Sequence, residues 1–90
     1  MDKEELKITT KSFAVRVFNF IIALERSRVV EVISYQLSKA SSSVAANYRA
    51  VCRGKSGGDF LNKLKIVDEE ANETLFWLEL GQSNQEILIH

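Results

Sequence analysis

Gly54-Lys55-Ser56 has the ending of a phosphate-binding P-loop. The full motif needs a glycine five residues before Gly54, and Arg49 stands there. It also needs a strand ahead of the loop, so that backbone N–H groups can wrap a phosphate. The segment before Gly54 reads as helix, so nucleotide hydrolysis is rejected. Asp68, Glu69, Glu70 and Glu73 suggest a metal site inside a helical bundle. Carboxylate-bridged di-iron bundles take a Glu-x-x-His pair from each of two helices. Glu70-x-x-Glu73 has the spacing and lacks the imidazole. These acids read instead as a solvated face that can pair with a basic neighbour.

Cys52 is the one cysteine. A reactive thiol needs an exposed, electropositive setting, and Arg49 and Arg53 are its sequence neighbours. The commoner role is a small buried hydrophobe. Ser41, Ser42 and Ser43 offer hydroxyls, but the single histidine is the distant His90, so no imidazole is at hand to act as base. A Ser–Lys arrangement with Lys39 stays open, with nothing in the sequence to support it. No catalytic residue, metal ligand set or cofactor motif emerges, so the chain is expected not to be an enzyme.

The strongest functional group of residues is basic. Arg49 and Arg53 lie one turn apart on a helix, Lys55 follows in the turn, and Lys63 and Lys65 lie on the next helix. Repeated around an oligomer, they would form a ring of positive potential able to attract phosphates. These five are the nucleic-acid-binding candidates. All twelve basic residues lie at or before Lys65, together with six of the twelve acids; the other six acids follow. Net charge is zero, and no base-reading motif is present. The plainer reading is that basic and acidic faces meet within the fold or between subunits.

The elements that carry these residues read as helices. Ninety residues, with no proline and four glycines, form one domain, 1–90, with few breaks. A chain this short hides only about 60% of its unfolded surface. Residues 1–10 are polar, either frayed or the first helical turn; Thr9, Thr10 and Ser12 are candidate caps. Helix 1 is expected over about 11–24, with Phe13, Val17, Phe20 and Leu24 at helical spacing. Its other faces carry Ala14, Val15, Phe18, Ile21 and Ile22, and only Arg16 and Asn19 interrupt the run from Phe13 to Leu24. A helix apolar nearly all round must be covered on more than one side. A domain this small has too little mass for that, and a second subunit would supply it.

Ser27 is the expected N-cap of helix 2, about 28–53. Its core stripe is Val30, Ile33, Leu37, Ala40, Val44 and Val51, with Tyr48 between the last two. Ser41 to Ser43 resemble a loop on local propensity, but the stripe runs through them in register, so the helix is kept. Gly54 suits a left-handed C′ position. Helix 3 is expected over about 57–81, opened by Ser56 and Asp59 and closed by Gly81. Its stripe is Phe60, Leu64, Val67, Ala71, then Thr74 or Leu75, then Leu78. Asp59–Lys63 and Lys65–Glu69 are favourable i,i+4 pairs. Ser83-Asn84-Gln85-Glu86 forms a capping box for a short fourth helix.

Two segments resemble a known family. Gln36-Leu37-Ser38-Lys39-Ala40-Ser41-Ser42-Ser43-Val44-Ala45-Ala46-Asn47 is similar to the Gln-Leu-x-Arg-Ala-x-x-Ser-Ile-x-Ala-Asn signature of the 23S rRNA intervening-sequence family of four-helix-bundle proteins. Ser56-x-x-Asp59-Phe60, followed by Glu70-x-x-Glu73-Thr74-x-x-Trp77-Leu78-Glu79-Leu80, resembles the family's second stretch. The likeness spans roughly residues 12–82. It departs at Lys39, where the family has Arg, at Asp59, where it has Glu, and at Arg49-Ala50.

The resemblance implies an antiparallel, up-and-down four-helix bundle that assembles into a ring, often a pentamer. A related branch, the accessory proteins of diversity-generating retroelements, uses a basic barrel to bind nucleic acid and a reverse transcriptase. Phe13, Phe18, Ile21, Ile22, Asn47 and Trp77 are the oligomer and core candidates. Asn47 is expected to hydrogen-bond Glu70 or Glu73 and so fix register. Trp77 is expected to pack on Ala45 and Ala46.

The sequence-level expectation is therefore an all-α four-helix bundle with a short last helix. Its function would be that of a homo-oligomeric scaffold with an unassigned protein partner. The alternative is a nucleic-acid or ribosome-associated accessory protein. The acidic start Met1-Asp2-Lys3-Glu4-Glu5 shows no signal peptide. The run from Phe13 to Leu24 is shorter than the roughly 20 residues a bilayer needs. With the lone cysteine, this predicts a soluble, cytoplasmic protein without membrane contact.

Overall fold

A computed structural model describes residues 2–53 and 58–89, with backbone alone for 59 and 84–89. Among the described residues there are three helices, α1 (Lys3–Ala23), α2 (Arg28–Arg53) and α3 (Gly58–Ile89). The four-helix bundle expected from the sequence is corrected to a three-helix all-α fold.

The expected fourth helix is the last stretch of α3. Gly81 does not end α3, and Ser83 does not open a new helix. Glycine inside a helix costs only about 1 kcal/mol relative to alanine, and no proline follows to force a stop. Continuing the helix also satisfies its backbone N–H groups internally, which leaves a capping box nothing to cap.

Helix α1 likewise starts eight residues earlier than expected, at Lys3 rather than 11. The signal was Asp2, whose Oδ1 accepts the Glu5 backbone N–H at 2.8 Å. Glu4 and Glu5 in the first turn suit the positive end of the helix dipole. Thr9, Thr10 and Ser12 are thus interior residues, and Thr10 donates its hydroxyl to the Lys7 carbonyl at 3.2 Å. At the far end Leu24 is extended, and its N–H reaches the Ile21 carbonyl at 3.0 Å.

Helix α2 follows its expected bounds. The Ser27 Oγ accepts the Val30 N–H at 3.1 Å, the N-cap read from the sequence. All seven residues of the expected stripe, Val30, Ile33, Leu37, Ala40, Val44, Tyr48 and Val51, are buried. The run through the three serines is helical because their hydroxyls find acceptors in their own helix. Ser41 donates to the Leu37 carbonyl and Ser42 to the Ser38 carbonyl, each at 2.6 Å. That removes the competition that makes serine a loop former elsewhere.

Helix α2 is the middle element, packed against α1 on one side and α3 on the other. Among the described residues α1 and α3 have no Cα pair within 8 Å. Ile33, near the start of α2, faces Gly81 near the end of α3, and Phe20 near the end of α1 reaches the same place. Successive helices are therefore antiparallel. The core centre is Val17, Ile33 and Leu37, with Phe13, Phe20, Ile21, Trp77 and Leu78 packed around it.

Candidate functional site

Arg49 and Arg53 are exposed on the last turns of α2, and Lys65 is exposed and Lys63 half-buried near the start of α3. The hairpin of α2 and α3 brings these four to one end of the molecule. Lys55 lies outside the described residues. Among the described residues the ion pair present is Lys7–Glu4 at 3.3 Å. Arg49, Arg53, Lys63 and Lys65 thus have no carboxylate partner there, and the expected Lys65–Glu69 pair does not form. The expected Asp59–Lys63 pair, and the caps at Gly54 and Ser56, lie outside the described residues.

The other chemical candidates turn inward on their own helices. Ser41 is fully buried, so its hydroxyl is closed to a substrate. Ser42 hydrogen-bonds the Ser38 and Lys39 carbonyls. Helix precedes Gly54, where a P-loop needs a strand. Glu70 offers its backbone carbonyl to the buried Thr74 hydroxyl at 2.7 Å, and the Glu73 carboxylate lies 3.5 Å from the Trp77 indole N–H. No group of three ligands able to hold a metal forms among the described residues. Cys52 is half-buried beside Tyr48. Burial pushes the Tyr48 hydroxyl above its ordinary pKa, and the Cys52 thiol and the Asp2 and Glu4 carboxylates push the same way.

For two of the assembly candidates the structure shows contacts other than those expected. Asn47 does not reach across to Glu70 or Glu73. Its side-chain amide donates to the Ser43 carbonyl at 2.9 Å, within α2. A half-buried amide one turn from a helical carbonyl with a second lone pair to offer satisfies itself locally. Trp77 joins the cluster of Val17, Ile33 and Leu37, some two turns of α2 away from Ala45 and Ala46. Its ring also meets Phe76 edge to face, with centroids 5.1 Å apart.

The remaining candidates divide by face. Phe13 and Ile21 pack against the core. Phe18 and Ile22 point outward, 41% and 79% exposed, with Val15 and Ile8 beside them. On α3, Leu75, Phe76 and Leu80 are exposed, and on α2, Val29, Val32 and Tyr35. Sequence reasoning missed Ile8, because it placed the helix start beyond it. The Asp2 cap was the signal that would have found it.

Between α1 and α3, where their backbones stay apart, an apolar cleft of about 390 Å³ opens. Phe13, Phe20, Leu75 and Leu78 line it, with Arg16 and Glu79 among its polar residues. The accessible surface of the chain is 6439 Å², against about 5,300 Å² for a compact monomer of this mass. The radius of gyration is 14.8 Å, against about 12 Å for a compact chain of this length.

The chain matches no family model, no curated protein and no solved structure. Among the described residues no helix is long and apolar enough to cross a membrane.

Proposed function

We propose that this chain is a non-enzymatic, self-assembling helical scaffold whose working state is a homo-oligomer that also engages a protein partner. The observation that carries this reading is α1, apolar on two faces and covered on one. Exposed apolar patches larger than a few hundred Å² are uncommon on soluble monomers and mark interaction sites. The open cleft between α1 and α3 and the surface in excess of a compact monomer support the same reading. Native mass spectrometry of the untagged protein at low salt tests it. A defined homo-oligomer is expected, and its mass reads the stoichiometry, including the pentameric ring that the family resemblance implies. A monomer at micromolar concentration overturns the reading.

A second reading is a nucleic-acid accessory protein that contacts phosphates through Arg49, Arg53, Lys63 and Lys65. Its support is that these cations share one end of the molecule with no carboxylate partner among the described residues. It requires an RNA or DNA affinity that falls linearly with log salt and drops when Arg49 and Arg53 become Glu. Oligomer mass that disappears on nuclease treatment would move this reading to first place.

A further inference from the structure

Helices α2 and α3 each present an exposed face, and the two carry opposite charge. On α2, Ser42, Ala46, Arg49 and Arg53 are all exposed. At 3.6 residues per turn they lie about 160° from the buried stripe of the same helix. On α3, Glu69, Glu73, Phe76 and Leu80 are all exposed. They lie about 120° from the buried Thr74 and Gly81, on the side away from the cleft. Among the described residues no helix covers either face.

The charges on these faces do not pair within the fold. Among the described residues the ion pair present is Lys7–Glu4, so Arg49, Arg53, Glu69 and Glu73 have no ionic partner there. The Trp77 indole N–H lies 3.5 Å from one Glu73 oxygen, and the other oxygen stays open. A chain of zero net charge that holds its basic and acidic faces apart can pair them only between copies.

We propose that α2 of one copy lies antiparallel against α3 of a second copy. Arg53 then stands over Glu69, Arg49 over Glu73, Ala46 over Phe76 and Ser42 over Leu80. The proposal rests on the self-assembly reading above and names the two surfaces and their register.

The match, position by position, argues for a second copy rather than another protein. From Ser42 to Arg53, α2 steps four, three and four; from Leu80 back to Glu69, α3 does the same. Such steps are the spacing of a helix–helix seam, and all four pairs fall level over about 17 Å. Opposite charges meet twice. The two small residues meet the two large apolar ones, Phe76 at 54% and Leu80 at 42% exposed, so both large side chains have room against the α2 backbone. Burying them supplies affinity. The arginines fork onto the carboxylates and fix direction and register more than they add affinity. Parallel pairing would also set arginine on glutamate, Arg49 over Glu69 and Arg53 over Glu73. It would carry Phe76 and Leu80 past Arg53, where α2 ends, and leave them bare. Each copy holds both surfaces, so in a closed assembly every chain makes the contact twice.

The test is native mass spectrometry with analytical ultracentrifugation on the full chain, before and after nuclease treatment. The wild type is expected to assemble in both. R49E/R53E and E69R/E73R are each expected to weaken assembly several-fold with undiminished helical circular dichroism, and the quadruple variant R49E/R53E/E69R/E73R to restore it. Register is read by single swaps: E69R is expected to rescue R53E, and E73R is not. Should the Glu73 variants fail to fold, because Glu73 meets Trp77, the Arg53–Glu69 pair carries the test alone. Assembly indifferent to R49E/R53E overturns the surfaces and leaves self-assembly standing, as does a missing rescue. Rescue of R53E by E73R in place of E69R overturns the antiparallel register. A wild type that assembles only before nuclease treatment assigns the arginines to nucleic acid and overturns the pairing. A wild type monomeric throughout overturns the self-assembly reading as well.

Discussion

A Cβ placed on Gly81 of α3 would stand 3.5 Å from the Cγ2 of Ile33 on α2. The Phe20 ring of α1 would be 3.8 Å away. These are ordinary van der Waals distances, so one added carbon fits between three helices. Gly81 is also helical rather than a left-handed cap. Gly81→Ala is expected to raise stability by about 0.5–1 kcal/mol, through the lower backbone entropy of the unfolded chain. Urea denaturation reads this. A loss of stability would instead place Gly81 in a terminating turn. Gly81→Val, which forces further carbons into the same gap, is expected to lose about 1–3 kcal/mol.

Leu37 is fully buried at the middle of α2, where both neighbouring helices pack. Leu37→Ala is expected to cost about 2–5 kcal/mol, a large share of the stability of a domain this size. The midpoint of a denaturation curve measures it. A cost under 1 kcal/mol would mean that α2 is not the central helix.

The two N-caps should differ in weight. Ser27 opens a helix held on both sides, and its Oγ caps a half-buried N–H. Ser27→Ala is expected to cost about 1 kcal/mol. Asp2 caps an exposed first turn, so Asp2→Ala is expected to fray the first turn of α1 and cost less. Amide hydrogen exchange at Glu5 and Val30 separates local fraying from global unfolding.

Tyr48 sets an alkaline limit on stability. Its folded pKa is raised above the ordinary value of about 10, so below that value both states hold the phenolic proton and pH has no effect through this group. Above it the unfolded chain releases the proton first, and stability falls as pH rises toward the folded value. Tyr48→Phe removes this slope. The wild type is expected to lose more stability between pH 9 and pH 11, windows of roughly one unit around the ordinary tyrosine value, than the phenylalanine variant does. Parallel curves would show that Tyr48 does not contribute.

Much of α2 was legible. Seven apolar or aromatic positions at steps of three and four, behind a serine cap, leave one way to bury a helix. The stripe of α3 was legible only in part, since Thr74 is buried while Leu75 is exposed. Those neighbours differ by about 100° around the helix, and which one meets α2 depends on the rotation of α3, which no single-helix pattern sets. Arg49, Arg53, Lys63 and Lys65 share one end because they flank the junction of α2 and α3 in the sequence. That none of them has a carboxylate partner among the described residues needed the structure.

The sequence by itself determined that the chain is helical, that α2 carries the core stripe and that α1 has more apolar surface than its own domain can cover. Each follows from periodicity and composition, which act within one helix. Tertiary structure decided how many helices there are, because packing on Ile33 and Phe20 carries α3 straight through Gly81. It also decided which face of α1 is left over. The inner and outer stripes are both apolar, and only the placement of α2 against Val17 rather than Phe18 makes one of them core and the other surface.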